Sequence, residues 1–137
     1  MTTAVLEEID ALVTLEVPNG LVGVPEAQRF SLSRWGGDDS PYATLKALDA
    51  DGLEFVVVPP SVFFPDYAPV VDDDLVQRLD LHEADDAVVL VIVTIGDPVT
   101  TSTANLLGPI VVNRHTNQAA QAVLSPDEHD PRRPLVG

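Results

Sequence analysis

Residues 87–93, AVVLVIV, are the longest unbroken apolar run of the chain, and Thr94 and Ile95 extend it. Branching at Cβ stiffens the Val and Ile side chains that make up most of it, lowers their helix preference and suits them to a pleated surface. With no polar residue at every second place, the run is predicted to be a strand covered on both faces. It is also far too short to span a bilayer, which takes about 20 residues as a helix.

The segments around it are strands as well. Residues 11–17 (ALVTLEV) alternate enough to form a first strand, and Pro18, Asn19 and Gly20 turn the chain after it. Residues 28–35 (QRFSLSRW) place Phe30 and Leu32 between polar neighbours, the pattern of a half-buried strand. A hairpin loop at 36–41 leads to strands at 42–48 and 53–59, joined by an Asp-Gly turn. The last three strands are predicted within residues 100–108, 109–114 and 118–124. Pro109 breaks the ladder before the second of them, and residues 113–117 turn into the third. Leu75, Val76 and Leu79 repeat at helical spacing behind Asp72, Asp73 and Asp74, which fits one short helix near 72–80 with an acidic cap and first turn. The expected fold is therefore mostly β. It is a small barrel-like domain (a pseudobarrel) of about seven or eight short strands with that one helix.

At 137 residues the chain fits a single domain, here 1–124, followed by a proline-rich flexible tail at 125–137. It has no cysteine, so disulfides and thiolate metal sites are excluded, which suits a reducing cytosol. The opening residues carry acids and no Lys or Arg before Val17, the wrong charge for a secretory or transit peptide, and a cytoplasmic protein is expected. There are 22 acidic residues against 7 Lys and Arg, a net charge of −15. Nucleic-acid binding depends on Lys and Arg neutralising phosphate, so neither direct RNA or DNA binding nor an anionic membrane fits. Such acidity either keeps the chain soluble or steers it onto a basic protein.

No motif carries a reaction. There is no Gly-x-Ser-x-Gly elbow, no thiol nucleophile, no P-loop, and Gly20-x-x-Gly23 is no dinucleotide loop. His82 with Glu83, Asp85 and Asp86 matches no standard metal-ligand spacing. The Asp72, Asp73, Asp74 run lacks the alternating oxygens and central glycine of a calcium loop and fits a helix cap better. No catalytic residue, metal or cofactor is assigned. Residues 59–69 (PPSVFFPDYAP) stand apart, because four prolines frame Phe63, Phe64 and Tyr67. Proline lacks the amide a central strand needs, so this is a loop or edge segment. Its aromatics either plug the barrel or stand at the surface as anchors beside acidic rim residues.

Taken in order, PNGLVGV (18–24), FVVVPPSVFFPDYAPVV (55–71), DDDLVQRLDL (72–81), DDAVVLVIVTIGDP (85–98) and TANLLGPIVVNRHTNQAAQAVL (103–124) resemble the bacterial flagellar assembly factor FliW. The resemblance runs from about Leu15 to Pro134 and rests on the ordered set of motifs. Val17 and Val24 stand where that family often has phenylalanine, which would thin the aromatic surface near the first turn, and Gly96 stands where a larger residue is common. The resemblance implies a monomeric, non-enzymatic β protein that binds the RNA-binding repressor CsrA and flagellin, and so relieves repression of flagellin mRNA. Candidate partner-binding residues are Phe63, Phe64, Asp66, Tyr67, Asp72, Asp73, Asp74, Asp97, Pro98 and Asn105. The alternative is a small-ligand or carbohydrate-binding β-barrel module with no regulatory partner, motivated by the aromatic loop beside acids.

Overall fold

Three antiparallel hairpin connections build one side of the molecule. The computed structural model describes residues 14–21, 23–34 and 40–135. In it β1 (Thr14–Glu16), β2 (Arg29–Arg34), β3 (Ala43–Ala47) and β4 (Glu54–Val58) pair in chain order. Register sets the core. Leu15 lies opposite Phe30, Phe30 opposite Ala47, Leu32 opposite Leu45, and Ala43 opposite Val57, and all of these are buried. Side chains alternate faces along a strand, so a slip of one residue would turn this whole set to solvent. The predicted strands at 28–35, 42–48 and 53–59 each appear, over Arg29–Arg34, Ala43–Ala47 and Glu54–Val58, with Trp35 outside the described residues. Only the last part of the predicted first strand falls within the described residues, and most of the 36–41 loop lies outside them.

β5 (Ala87–Thr94) is the eight-residue hub. Its first half, Ala87 to Leu90, pairs with β7 (Ile110–Asn113). Val91 and Val93 further on pair with β4, and Val93 and Thr94 with β6 (Thr103–Ala104). The strand thus changes partners midway. Val88 and Leu90 enter the core lined by Phe30 and Leu45, whereas Val91 and Val93 enter a second one with Val58, Ala104 and Leu106. This is why its sequence is apolar without alternation. β8 (Ala119–Gln121) pairs with β7. A single parallel bridge between Glu16 and Gln118, with the Glu16 amide donating to Asn117 O at 2.9 Å, brings β1 back to this end. One bridge is not a ladder, so the antiparallel sheet curls toward a barrel without closing.

The predicted strand at 100–108 is mostly something else. Residues Val99–Thr101 form a 3-10 turn, and only Thr103 and Ala104 pair. Asn105 Oδ1 then accepts from the amides of Leu107 and Gly108, both at 3.1 Å, an Asx turn that competes with the ladder. A Cβ on Gly96 would lie 2.8 Å from the Thr101 carbonyl carbon, so this close approach needs glycine whatever is common there in relatives. Gly20 is similar: it holds φ +67°, and a Cβ would meet Pro25 Cα at 2.5 Å. Val17 is 1 % exposed and Val24 packs against the same core, so these two positions do not shape an aromatic surface as expected. They change the filling of the interior.

α1 (Asp73–Arg78) matches the predicted helix. Asp72 caps it, its Oδ1 accepting from the Leu75 amide at 2.8 Å. The helix ends with Asp80 in the left-handed region at φ 56°. The Leu81 amide reaches back to Val76 O at 3.0 Å and the Asp80 amide to Gln77 O at 3.1 Å, a Schellman end with aspartate where glycine is usual. Leu75 and Leu79 pack on Val111, Ala120 and Ala122, the outer face of the β7–β8 pair. Asn113 locks this arrangement: it is buried, and its Nδ2 donates to Leu79 O at 2.7 Å, 34 residues away in sequence. Among the described residues no helix is long and apolar enough to cross a membrane.

The predicted tail, 125–137, makes backbone contacts in its described part, which ends at Leu135. Here the Leu106 amide donates to Asp130 O at 3.0 Å, Arg133 and Pro134 pair with β6 as a two-residue strand, β9, and the Leu135 amide donates to Ser102 O at 3.1 Å. Proline-rich composition does not reveal such contacts, because each partner lies far away along the chain.

Candidate functional site

Proline governs the aromatic loop from its start. Pro59 caps a 3-10 turn at Pro60–Val62. The amides of Phe63 and Phe64 both donate to Pro60 O, at 3.1 and 2.7 Å, so the two rings leave one tight turn side by side. Phe63, Phe64 and Tyr67 are each half-buried against Val58, Val91, Val93, Ala104 and Leu106. Tyr42 and Phe63 lie 6.0 Å apart, Phe63 and Phe64 6.4 Å, in tilted aromatic pairs. Each ring therefore covers the second core and keeps an edge at the surface, so the loop plugs the interior only in part.

Tyr67 anchors the loop. Its hydroxyl donates to Leu106 O at 2.7 Å, and burial pushes the phenol up to about 12. The neutral phenol is thus favoured by folding. Its contribution to stability is complete well below pH 10, where half of the unfolded phenol is ionised, and is lost as the pH rises toward about 12. A tyrosinate absorbance titration is expected to show a component near pH 12 that is absent in Tyr67→Phe; a profile unchanged by that substitution would contradict this assignment.

The segment after Ser125 completes the site. His129 meets Tyr67 edge-on at 5.5 Å, and the Arg133 guanidinium lies 5.7 Å from the centre of the Phe64 ring. With Asp66, Glu128 and Asp130 these groups line an open cavity of about 470 Å3 beside the loop. A second cavity of about 460 Å3 lies between Asp72, Leu75 and Arg78 of the helix region and residues 121–125. Glu128 and His129 line both. The structure therefore brings the aromatic loop and the acidic start of α1 onto one surface, with Glu128 and His129 between them. Asp73 and Asp74 are exposed on the first turn, and Asp74 pairs with Arg78 at 3.3 Å.

Other candidates stand differently. Asn105 directs its side chain to the Leu107 and Gly108 amides, and its backbone amide donates to Ile92 O at 2.8 Å. Asp97 and Pro98, joined by a cis peptide bond, are exposed at the start of the Val99–Thr101 turn and line neither cavity. Glu128, His129 and Arg133 escaped the sequence reading. Their segment has no periodicity, and only the fold lays it against the aromatic rings. Elsewhere, Asp86 Oδ2 accepts from the His82 and Glu83 amides at 2.9 Å, which with the nearby His115 holds its carboxyl below the usual range. Among the described residues no three His, Asp or Glu side chains are grouped to hold a metal ion.

The model of the FliW protein family matches residues 2–135. The chain belongs to the FliW family. Its FliW relatives include the flagellar assembly factor FliW of Bacillus licheniformis, 36 % identical over 124 residues, which span 90 % of this chain and 86 % of that protein. The FliW of Bacillus subtilis is 34 % identical over 87 % of this chain and 82 % of its own. That of Treponema pallidum is 33 % identical over 94 % and 83 %. A crystal structure of the flagellar assembly factor FliW superposes with a TM-score of 0.85 at 28 % identity, covering 91 % of this chain and 86 % of that one. The open antiparallel architecture with one short helix is thus a FliW fold, and the family's role is in flagellar assembly.

Proposed function

We propose that the chain is a non-catalytic, cytoplasmic protein-binding regulator of flagellar assembly. It binds the basic RNA-binding repressor CsrA and flagellin, acting as a monomer, and releases flagellin mRNA from repression when it holds CsrA. Membership of the FliW family carries this reading, and the net charge of −15 supports it physically. A protein that grips RNA must present Lys and Arg, and an acidic surface attracts it over several ångströms. The surface formed by Phe63, Phe64, Asp66, Tyr67, Asp72, Glu128 and His129 combines half-buried rings with carboxylates, an apolar centre with a charged rim.

Calorimetric titration with CsrA and flagellin from the same genome tests the proposal. Binding of CsrA is expected at about 50 mM salt and is expected to weaken about tenfold or more near 500 mM, as exposed charges are screened. No heat of binding to either protein at low salt would overturn it.

A further inference from the structure

A third surface lies away from the aromatic loop. Between α1 and β5, the side chains of Val71, Val76, Leu81, Ala87 and Val89 leave an open notch of about 430 Å3, floored by Val111. These residues are only half-buried apart from Val111, which is fully covered, and Val89 and Val111 face each other across the β5–β7 ladder. Val70, just before the notch, is 83 % exposed. The helix is too short to roof the whole outer face of the sheet. Leu75 and the C-cap residue Leu79 cover Val111, Ala120 and Ala122 and leave the Val89 end open.

The charge around this apolar patch is one-sided. Glu83 is the one carboxylate that lines the notch, and the stretch from Val71 to Ala87 that bounds it holds six more, on Asp72, Asp73, Asp74, Asp80, Asp85 and Asp86, against the single Arg78. His82 and Glu83 line the notch directly, and His82 Nε2 lies 2.9 Å from Asp80 Oδ1. An apolar slot with such a rim suits neither an acidic peptide nor an apolar small molecule alone. We infer that the notch between α1 and β5 docks a basic amphipathic helix of a partner protein. Its aliphatic side chains enter between Val76 and Val89, and its Lys or Arg residues face the carboxylates of residues 72–86. A helix offers apolar groups at i, i+3, i+4 and i+7 on one side and cations on the other, which matches this layout of slot and rim. The notch requires no particular one of the partners proposed above, and its test uses neither.

The probe is a synthetic helical peptide of lysine and leucine with leucines at i, i+3, i+4 and i+7, followed by amide NMR titration of the full chain. Shift changes are expected to concentrate at Val71, Val76, Leu81 and Val89. The same peptide with serine for leucine is expected to bind about tenfold more weakly or less. Val89→Thr keeps the shape of the side chain but replaces a methyl with a hydroxyl, and is expected to weaken leucine-peptide binding about tenfold, while Leu48→Thr, exposed after β3 and away from every cavity described here, leaves it unchanged. Shift changes spread evenly over the acidic surface, or leucine and serine peptides binding alike to the unaltered chain, would overturn the inference. The peptide comparison needs no variant, so a folding defect in Val89→Thr cannot mask the answer.

Discussion

Asn113→Asp is expected to destabilise the chain by about 3 kcal/mol at neutral pH, the sum of lost donors and a buried charge. Asn113 is 3 % exposed. Its Nδ2 donates to Leu79 O at 2.7 Å and to Asp80 O at 3.3 Å, while its Oδ1 accepts from the amides of His115 and Thr116 at 2.8 and 3.3 Å. One side chain thus ties the C-terminal end of α1 to the turn that follows β7. Aspartate can still accept from the two amides, but it has no donor for the two carbonyls. An ionised carboxylate would face those carbonyl oxygens in a dry site. The deficit should shrink on acidification, since protonation removes the charge and restores one donor. Urea unfolding at pH 7 and pH 4 reads both effects, with the exposed Asn19→Asp as a control expected to change stability by less than about 0.5 kcal/mol. A deficit at Asn113 as small as the control's would show that the buried bonds do not hold the helix.

Leu90→Ala is expected to cost about 2–5 kcal/mol, the range for truncating a buried leucine whose surroundings relax only in part. Leu90 is fully buried, faces Ile110 across the ladder, and belongs to the core that also holds Phe30 and Leu45. It sits where β5 passes from pairing with β7 to pairing with β4, so strands on both sides limit how far the void can collapse. Val123→Ala, at a position 73 % exposed, is expected to fall within about 0.5 kcal/mol of the unaltered chain in the same denaturant series. Equal midpoints for the two variants would mean that β5 is not the hub described here.

Much of this architecture was legible because its causes are local. Alternation marked β2, since Phe30 and Leu32 have polar neighbours. The three acids before Leu75 marked the cap of α1, because a cap needs only a side-chain oxygen three residues from an amide. The Val/Ile run marked β5. What failed was also physical. Residues 100–108 looked like a strand by composition, yet the Asx turn at Asn105 and the close approach at Gly96 use the backbone otherwise. Asn113 looked like an ordinary turn residue, and its decisive partner, Leu79 O, lies 34 positions away.

For the candidate site, sequence alone determined the aromatic loop, the acidic helix start and the strong negative charge. Proline framing, capping chemistry and net charge are properties of neighbouring residues or of a sum, and need no fold. Only the tertiary structure decided that His129 and Arg133 stand against the rings with Glu128 lining the same cavity, that Asp97 and Pro98 lie apart, and that a notch stays open beside α1. Each of these depends on where the C-terminal segment meets β6 and on how far a six-residue helix reaches over the sheet. Such distances are fixed by packing between remote segments, and no short stretch of sequence encodes them.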